Sequence, residues 1–144
     1  RITYIPIGDD AMQITRQTEY AVRVMLELAR LPKGEMLSAR EISEKQQIPE
    51  VFLKKTIQIL ARAGLVHTQR GPRGGVQLAK DPTEVTLADI LVAVEGPLAL
   101  NVCLVPGYEC VNKPGCKVHR VLARAQKALV SELSCNSLAE LAEL

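Results

Sequence analysis

The sequence predicts a mainly α-helical fold carrying one small β-hairpin. Three observations predict it. Apolar residues recur at helical spacing in several separate stretches, the first from Thr15 to Arg30. Helix-start signals of the Ser/Thr-x-x-Glu/Asp kind open three of the later stretches. Two short β-prone runs, Leu65 to Gln69 and Val76 to Ala79, flank Arg70-Gly-Pro-Arg-Gly-Gly75, a sequence that only a turn or loop accommodates.

Taken in order, the first helix places Tyr20, Ala21, Val24, Met25 and Leu28 on one side and stops at Leu31-Pro-Lys-Gly34. Ser38-Ala-Arg-Glu41 is a capping box, in which hydroxyl and carboxylate satisfy the free amides of a helix start; this short helix should run to about Gln47. Pro49 suits the first turn of a third helix, with Phe52, Leu53, Ile57, Leu60 and Ala61 facing inward and Ala63-Gly64 as the left-handed stop. A separation of one or two residues between these helices fits a tight helix-turn-helix. Three helices followed by a hairpin give the order of a winged helix-turn-helix. Thr86-Leu-Ala-Asp89 caps a fourth helix with Leu87, Ile90, Leu91 and Val94 on its apolar side, ending at Gly96-Pro97. A long helix starts near Lys117, with Val118, Val121, Leu122, Ala125, Leu129 and Leu133 in one stripe, and Ser137-Leu-Ala-Glu140 caps a last short turn.

At 144 residues the chain can bury a real core, which Leu, Ile, Val and Ala must fill because there is no Trp and one Phe. No apolar run approaches the roughly 20 residues of a membrane span, and the start does not read as a signal peptide. Residues 1–11 read as an upstream extension, with Met12 as a natural start. The expected compartment is the cytoplasm, where four cysteines are ligands or reactive thiols more often than a disulfide framework. Charge is unevenly placed. From Ser38 to Lys80 there are eight basic residues against three acidic ones, a net +5 that leaves −3 for the rest of a chain whose total is +2. Such a local excess suggests contact with a polyanion, although lysines on a solvated helix face give the same count.

The third helix and the hairpin loop are where that contact would fall. A recognition helix lies in the major groove with its early residues at base edges. Here its exposed side offers Glu50, Lys54, Lys55 and Gln58, with Val51 beside them; lysine addresses guanine and phosphate, and glutamine addresses adenine. Ser38 and Arg40, at the start of the preceding helix, are further candidates for DNA contact. In the loop, Gly71, Gly74 and Gly75 let the backbone approach phosphate, and Arg70 and Arg73 suit a minor groove. An enzyme is not indicated, because His67 and His119 are the only histidines and neither has an evident nucleophile to serve. His67 falls in a predicted strand, facing solvent or DNA.

Cys103, Cys110, Cys116 and His119 form the other concentration of chemistry. Two Pro-Gly pairs break the stretch into a loop that can fold three thiols and an imidazole around one centre. The gaps are wider than zinc fingers use and suit an iron–sulfur cluster, which spans several ångströms and takes ligands from loops. Zinc remains open on ligand type, and so does disulfide switching among the same thiols. Cys135 stands apart at a helix end and reads as structural. The long helix carries an apolar stripe on a domain that already has a core, which suits pairing with a second copy.

Several segments together resemble the IscR/NsrR/CymR family of bacterial winged-helix regulators. They are Met12-Gln-Ile-Thr-Arg-Gln-Thr-Glu-Tyr-Ala-Val-Arg23, Ser38-Ala-Arg-Glu-Ile-Ser43, Ala63-Gly-Leu-Val66 and Arg70-Gly-Pro-Arg-Gly-Gly-Val-Gln-Leu78. The resemblance spans essentially residues 12–144 and implies a homodimeric transcription factor, often with an iron–sulfur cluster on three loop cysteines that match Cys103, Cys110 and Cys116. In IscR-like members with a 2Fe-2S cluster the fourth ligand is a histidine matched by His119. In NsrR-like members it is an acidic residue of the partner subunit, at the place of Glu19. The chain departs from IscR in having six residues between its first two cysteines and in carrying Lys54 where IscR has glutamate. CymR-like members lack the cysteines.

The resulting expectation is a DNA-binding domain over 12–82, joined in one compact unit to a helix, cluster loop and dimerisation helix over 83–144. It would act as a homodimer on a pseudo-palindromic double-stranded operator, without a membrane, under control of a 2Fe-2S or 4Fe-4S cluster sensing redox, nitric oxide or iron status. The alternative is a zinc-stabilised or thiol-switched repressor.

Overall fold

The computed structural model describes residues 14–105, 107–109 and 114–143. The expected extension 1–11, Met12 and Cys110 lie outside them. Six α-helices and one hairpin occur among the described residues: α1 (Arg16–Ala29), α2 (Ala39–Gln46), α3 (Glu50–Arg62), β1 (Val66–Gln69), β2 (Gly75–Leu78), α4 (Leu87–Glu95), α5 (Lys117–Leu133) and α6 (Leu138–Ala142). Short 3₁₀ turns span Pro82–Glu84 and Val102–Leu104.

Local sequence sets most helix starts. The Ser38 hydroxyl accepts from the Glu41 N–H at 3.1 Å while the Glu41 carboxylate accepts from the Ser38 N–H at 2.8 Å. Thr86 and Asp89 repeat the arrangement on α4. Ser137 accepts from the Glu140 N–H at 3.2 Å to open α6. Each cap satisfies amides that the helix cannot pair internally, worth about 1 kcal/mol apiece.

The turn between α2 and α3 is longer than expected. It takes Gln47, Ile48 and Pro49, with Gln47 left-handed at φ 52° and Ile48 buried. Pro49 is the N-cap of α3 and does not enter its first turn. The strands pair antiparallel, Val66 opposite Leu78 through Gln69 opposite Gly75. Leu37 adds a bridge to Val76, which ties the hairpin to the entry of α2.

One apolar core joins both halves of the chain. Val24, Met25 and Leu28 of α1 share it with Leu53, Ile57 and Leu60 of α3, Val76 of β2, Ile90 of α4 and Leu138 of α6. α1 is the centre: α3, α4, α6 and β2 all pack against it. α6 returns there through a backbone link in which the Leu138 N–H donates to the Val85 carbonyl at 2.6 Å.

One inward assignment needs correction. Phe52, expected in the core, is 53% exposed, and Thr56 is fully buried in its stead. The face that α3 presents to the core runs through Leu53, Thr56, Ile57 and Leu60. Thr56 fits there because its hydroxyl donates to the Phe52 carbonyl at 2.8 Å, so no polar atom is stranded. α5 differs more. None of its residues is buried, and its expected stripe leaves Val118 65% and Val121 52% exposed.

Candidate functional site

α3 and the hairpin build the first candidate surface. Glu50, Val51, Lys54, Lys55 and Gln58 are all exposed, Val51 to 78%. Lys54 pairs with Glu50 at 3.8 Å one turn back, and Arg40 of α2 pairs with Glu44 at 3.2 Å. Both pairs are largely solvated and hold the side chains only weakly, leaving the cations free to exchange partners. Ser38 is half-buried by its capping role.

A cleft of about 390 Å³ opens between α3, the start of α2 and the hairpin. It gathers Ser38, Lys54, Gln58, Gly71, Gly74 and Gly75 from all three. Thr68 and Gln69 of β1 line it too; they were not singled out from the sequence, and strand alternation alone would not have aimed them here. Gly75 is required by space: a Cβ there would stand 2.6 Å from the Leu37 carbonyl oxygen, and one on Gly74 would overlap the Gln69 carbonyl. The glycines thus fold the loop back onto its own strand and carry Arg70 and Arg73, both exposed, at its tip. His67 is exposed on β1, as expected. Phe52 lies beside Tyr20 of α1, with ring centroids 6.5 Å apart. Arg16, Gln17 and Lys55 complete a shallow cleft around the two rings.

The second candidate surface is the cysteine loop. Cys103 is half-buried in the 3₁₀ turn, and the Asn101 side-chain amide donates to its sulfur at 3.6 Å. Cys116 is half-buried as the N-cap of α5, where its sulfur accepts from the His119 N–H at 3.5 Å. A sulfur at that place stands where the free amides of a first helical turn favour negative charge. His119 follows one turn into α5, and its Nδ1 is buried with no hydrogen-bond partner among the described residues. Burying such an atom unsatisfied is costly, which makes it a donor in want of something to bind. Among the described residues no three His, Cys, Asp or Glu side chains converge on one point; Cys110, the middle thiol, lies outside them. The donor types nevertheless suit iron: two thiols that already accept hydrogen bonds and an imidazole nitrogen with nothing else to do. Glu19 is exposed on α1 and its carboxylate is engaged by Arg23 in the next turn. Cys135, expected to be structural, is exposed just past α5, with its thiol directed to the Ser131 carbonyl at 3.2 Å.

Behind the loop, Glu95 accepts hydrogen bonds from Thr15 and Thr18, the latter at 2.6 Å. These two hydroxyls hold its carboxyl below the ordinary glutamate range, against a smaller opposing effect of burial.

A winged helix with a basic face and a thiol-bearing loop calls for comparison with known proteins. Residues 14–144 match a family model described as Rrf2, iron-dependent transcriptional regulator. The chain belongs to the Rrf2 family. It is 36% identical over 133 residues to the HTH-type transcriptional regulator NsrR of Geobacillus kaustophilus, covering 92% of this chain and 90% of that protein. The structure of CymR, the global cysteine regulator of B. subtilis, superposes with a TM-score of 0.76 at 26% identity, covering 92% of this chain and 98% of that one. IscR of T. potens gives a TM-score of 0.72 at 26% identity, covering 94% and 90%. These Rrf2 relatives are transcriptional regulators, not enzymes, and the chain is a DNA-binding transcriptional regulator of the winged-helix type. Among the described residues no helix is long and apolar enough to cross a membrane.

Proposed function

We propose that this Rrf2 protein is a homodimeric regulator whose operator binding is set by an iron–sulfur cluster on Cys103, Cys110 and Cys116, with His119 as fourth ligand. The observation that carries the reading is the buried Nδ1 of His119, without a partner among the described residues, one turn beyond the Cys116 cap of α5. The family's description as iron-dependent supports it. The match of His119 to the histidine of IscR-like members favours a 2Fe-2S over a 4Fe-4S cluster, and one imidazole among thiolates makes the centre proton-sensitive. Glu19 of a partner subunit is the competing fourth ligand; it is exposed, and its i,i+4 pair with Arg23 is weak enough to exchange.

Bound there, the cluster supplies one-electron chemistry and iron that oxidants or nitric oxide can attack. The chain does the rest. Asn101 and the first turn of α5 direct hydrogen bonds at the Cys103 and Cys116 sulfurs. Residues 12–82 read DNA: Val51, Lys54, Lys55 and Gln58 address base edges and phosphates in the major groove, with Ser38, Arg40 and Glu50 beside them. Arg70 and Arg73, on the Gly71, Gly74 and Gly75 loop, reach the adjacent minor groove. Residues 83–144 hold the cluster and pair two subunits through the uncovered face of α5, which places two recognition helices on the half-sites of a pseudo-palindrome. The setting is the cytoplasm.

Anaerobic purification with a visible spectrum and iron and sulfide counts tests the reading. Equal iron and acid-labile sulfide, with bleaching on His119→Ala and none on Glu19→Ala, is expected. A colourless protein with zinc and no sulfide would establish the zinc-stabilised alternative. A metal-free protein forming disulfides would establish the thiol switch.

A further inference from the structure

Two polar links bracket the segment that runs from the winged helix to the cysteines. At its start Glu95, the last residue of α4, receives the hydroxyls of Thr15 and Thr18 on one carboxylate oxygen. Thr15 is the N-cap of α1 and Thr18 is fully buried in its first turn. α1 in turn packs directly on α3. At the other end the Leu100 N–H donates to Gln126 Oε1 at 2.9 Å, midway along α5. Cys103 follows three residues later.

The surroundings make these links matter. α5 has no buried residue, and its packing rests on α4 and on the turn that contains Cys103. Beneath the segment lies a cleft of about 350 Å³, lined by Leu91, Leu98, Leu129 and Leu133. A tightly filled interface would resist a change of helix angle; a cleft of this size leaves room for one. The segment is therefore fixed at both ends and poorly supported in between.

We propose that residues 95–100 are the coupling strap of this regulator, with Gln126 and Thr18 as its positioning residues. Glu95 ties the strap to α1 and so to the recognition helix, and Gln126 ties it to α5. A displacement at Cys103 that shifts α5 is then passed through the strap to α1 and the recognition helix. This inference rests on the cluster reading of the preceding section. Coupling of this kind is a ratio of affinities between two states, typically fivefold or more.

The test uses the full chain, anaerobically reconstituted, and a duplex selected by the wild-type protein from a random library. The quantity measured is the ratio of duplex affinities with and without the cluster. Gln126→Leu and Thr18→Val are each expected to shrink the ratio by about fivefold or more, with iron, sulfide and sedimentation mass unchanged. Gln126→Glu, which retains an acceptor oxygen, is expected to preserve it. A merely structural role would move stability in all three and spare the ratio. A full ratio in both Gln126→Leu and Thr18→Val would overturn the strap, as would a Gln126→Glu protein that falls as far as Gln126→Leu. If Gln126→Leu does not fold, Thr18→Val decides alone from the other end. A wild-type ratio of one, or wild-type protein that takes up no cluster, overturns the cluster reading itself and the strap with it.

Discussion

α1 and α5 have the same kind of sequence and opposite fates. Each is an amphipathic helix with an apolar stripe at helical spacing. α1 buries Thr18, Ala21, Val24, Met25 and Leu28, whereas α5, three residues longer, has no fully buried residue. The difference lies in what the rest of the chain brings to each. α3, α4, α6 and β2 converge on α1. Among the described residues α5 packs on α4, on the cysteine turn and on the segment before it, and its valines stay in water. A stripe records that a helix has a face to cover; which surface covers it belongs to other segments, or to another molecule.

Perturbing the two kinds of surface sharpens that contrast. Leu53→Ala, at a fully buried position of the recognition helix, should cost about 2–5 kcal/mol in urea unfolding. The exposed Val121→Ala should cost under about 0.5 kcal/mol in protein dilute enough to be monomeric. Equal losses would erase the distinction. Val121→Asp probes what covers α5. Sedimentation should show a monomer that keeps its helical circular dichroism and loses most of its operator affinity; a persistent dimer would place the interface elsewhere.

Smaller effects belong to the hairpin and to α1. Gly74→Ala should cost about 1–3 kcal/mol, because the new methyl overlaps the Gln69 carbonyl and the loop must shift. Operator binding should weaken with it, as read by fluorescence anisotropy. Arg73→Ala should leave stability alone, weaken binding across sequences and lower the slope of log affinity against log salt by about 1. The smallest effect should come from acid. Because Glu95 has its folded pKa lowered by Thr15 and Thr18, its stabilising contribution is present above the unfolded value and lost as pH falls through the folded one. Thr18→Val should therefore flatten the acid limb of the stability profile. Glu95 is exposed, so solvent keeps this contribution small. An unchanged limb would mean that the carboxylate does not feel the hydroxyls.

Much of the fold was legible because the signals were local. Ser38 with Glu41 and Thr86 with Asp89 each close their hydrogen bonds within one turn, so the residues that announce a helix start also make it. Phe52 shows the limit of that reading. Residue type argued for burial, but the period through Leu53, Thr56, Ile57 and Leu60 decided, and a threonine that can satisfy its own hydroxyl took the inner place. The site was legible in its chemistry more than in its assembly. Thiols, an imidazole and loop arginines declare themselves by type. The cleft that joins Gln58 of α3 to Thr68 and Gln69 of β1 exists only once three elements have packed.

By itself the sequence determined the order of elements, their caps, the basic face and the ligand types, since each depends on residues within a few positions of one another. Only the tertiary structure decided that Leu138 returns to Val85, that Glu95 holds Thr15 and Thr18 from nearly eighty residues away, and that α5 keeps its valines uncovered. Those outcomes follow from how packed surfaces compete for a limited core, and no local pattern in the chain contains that competition.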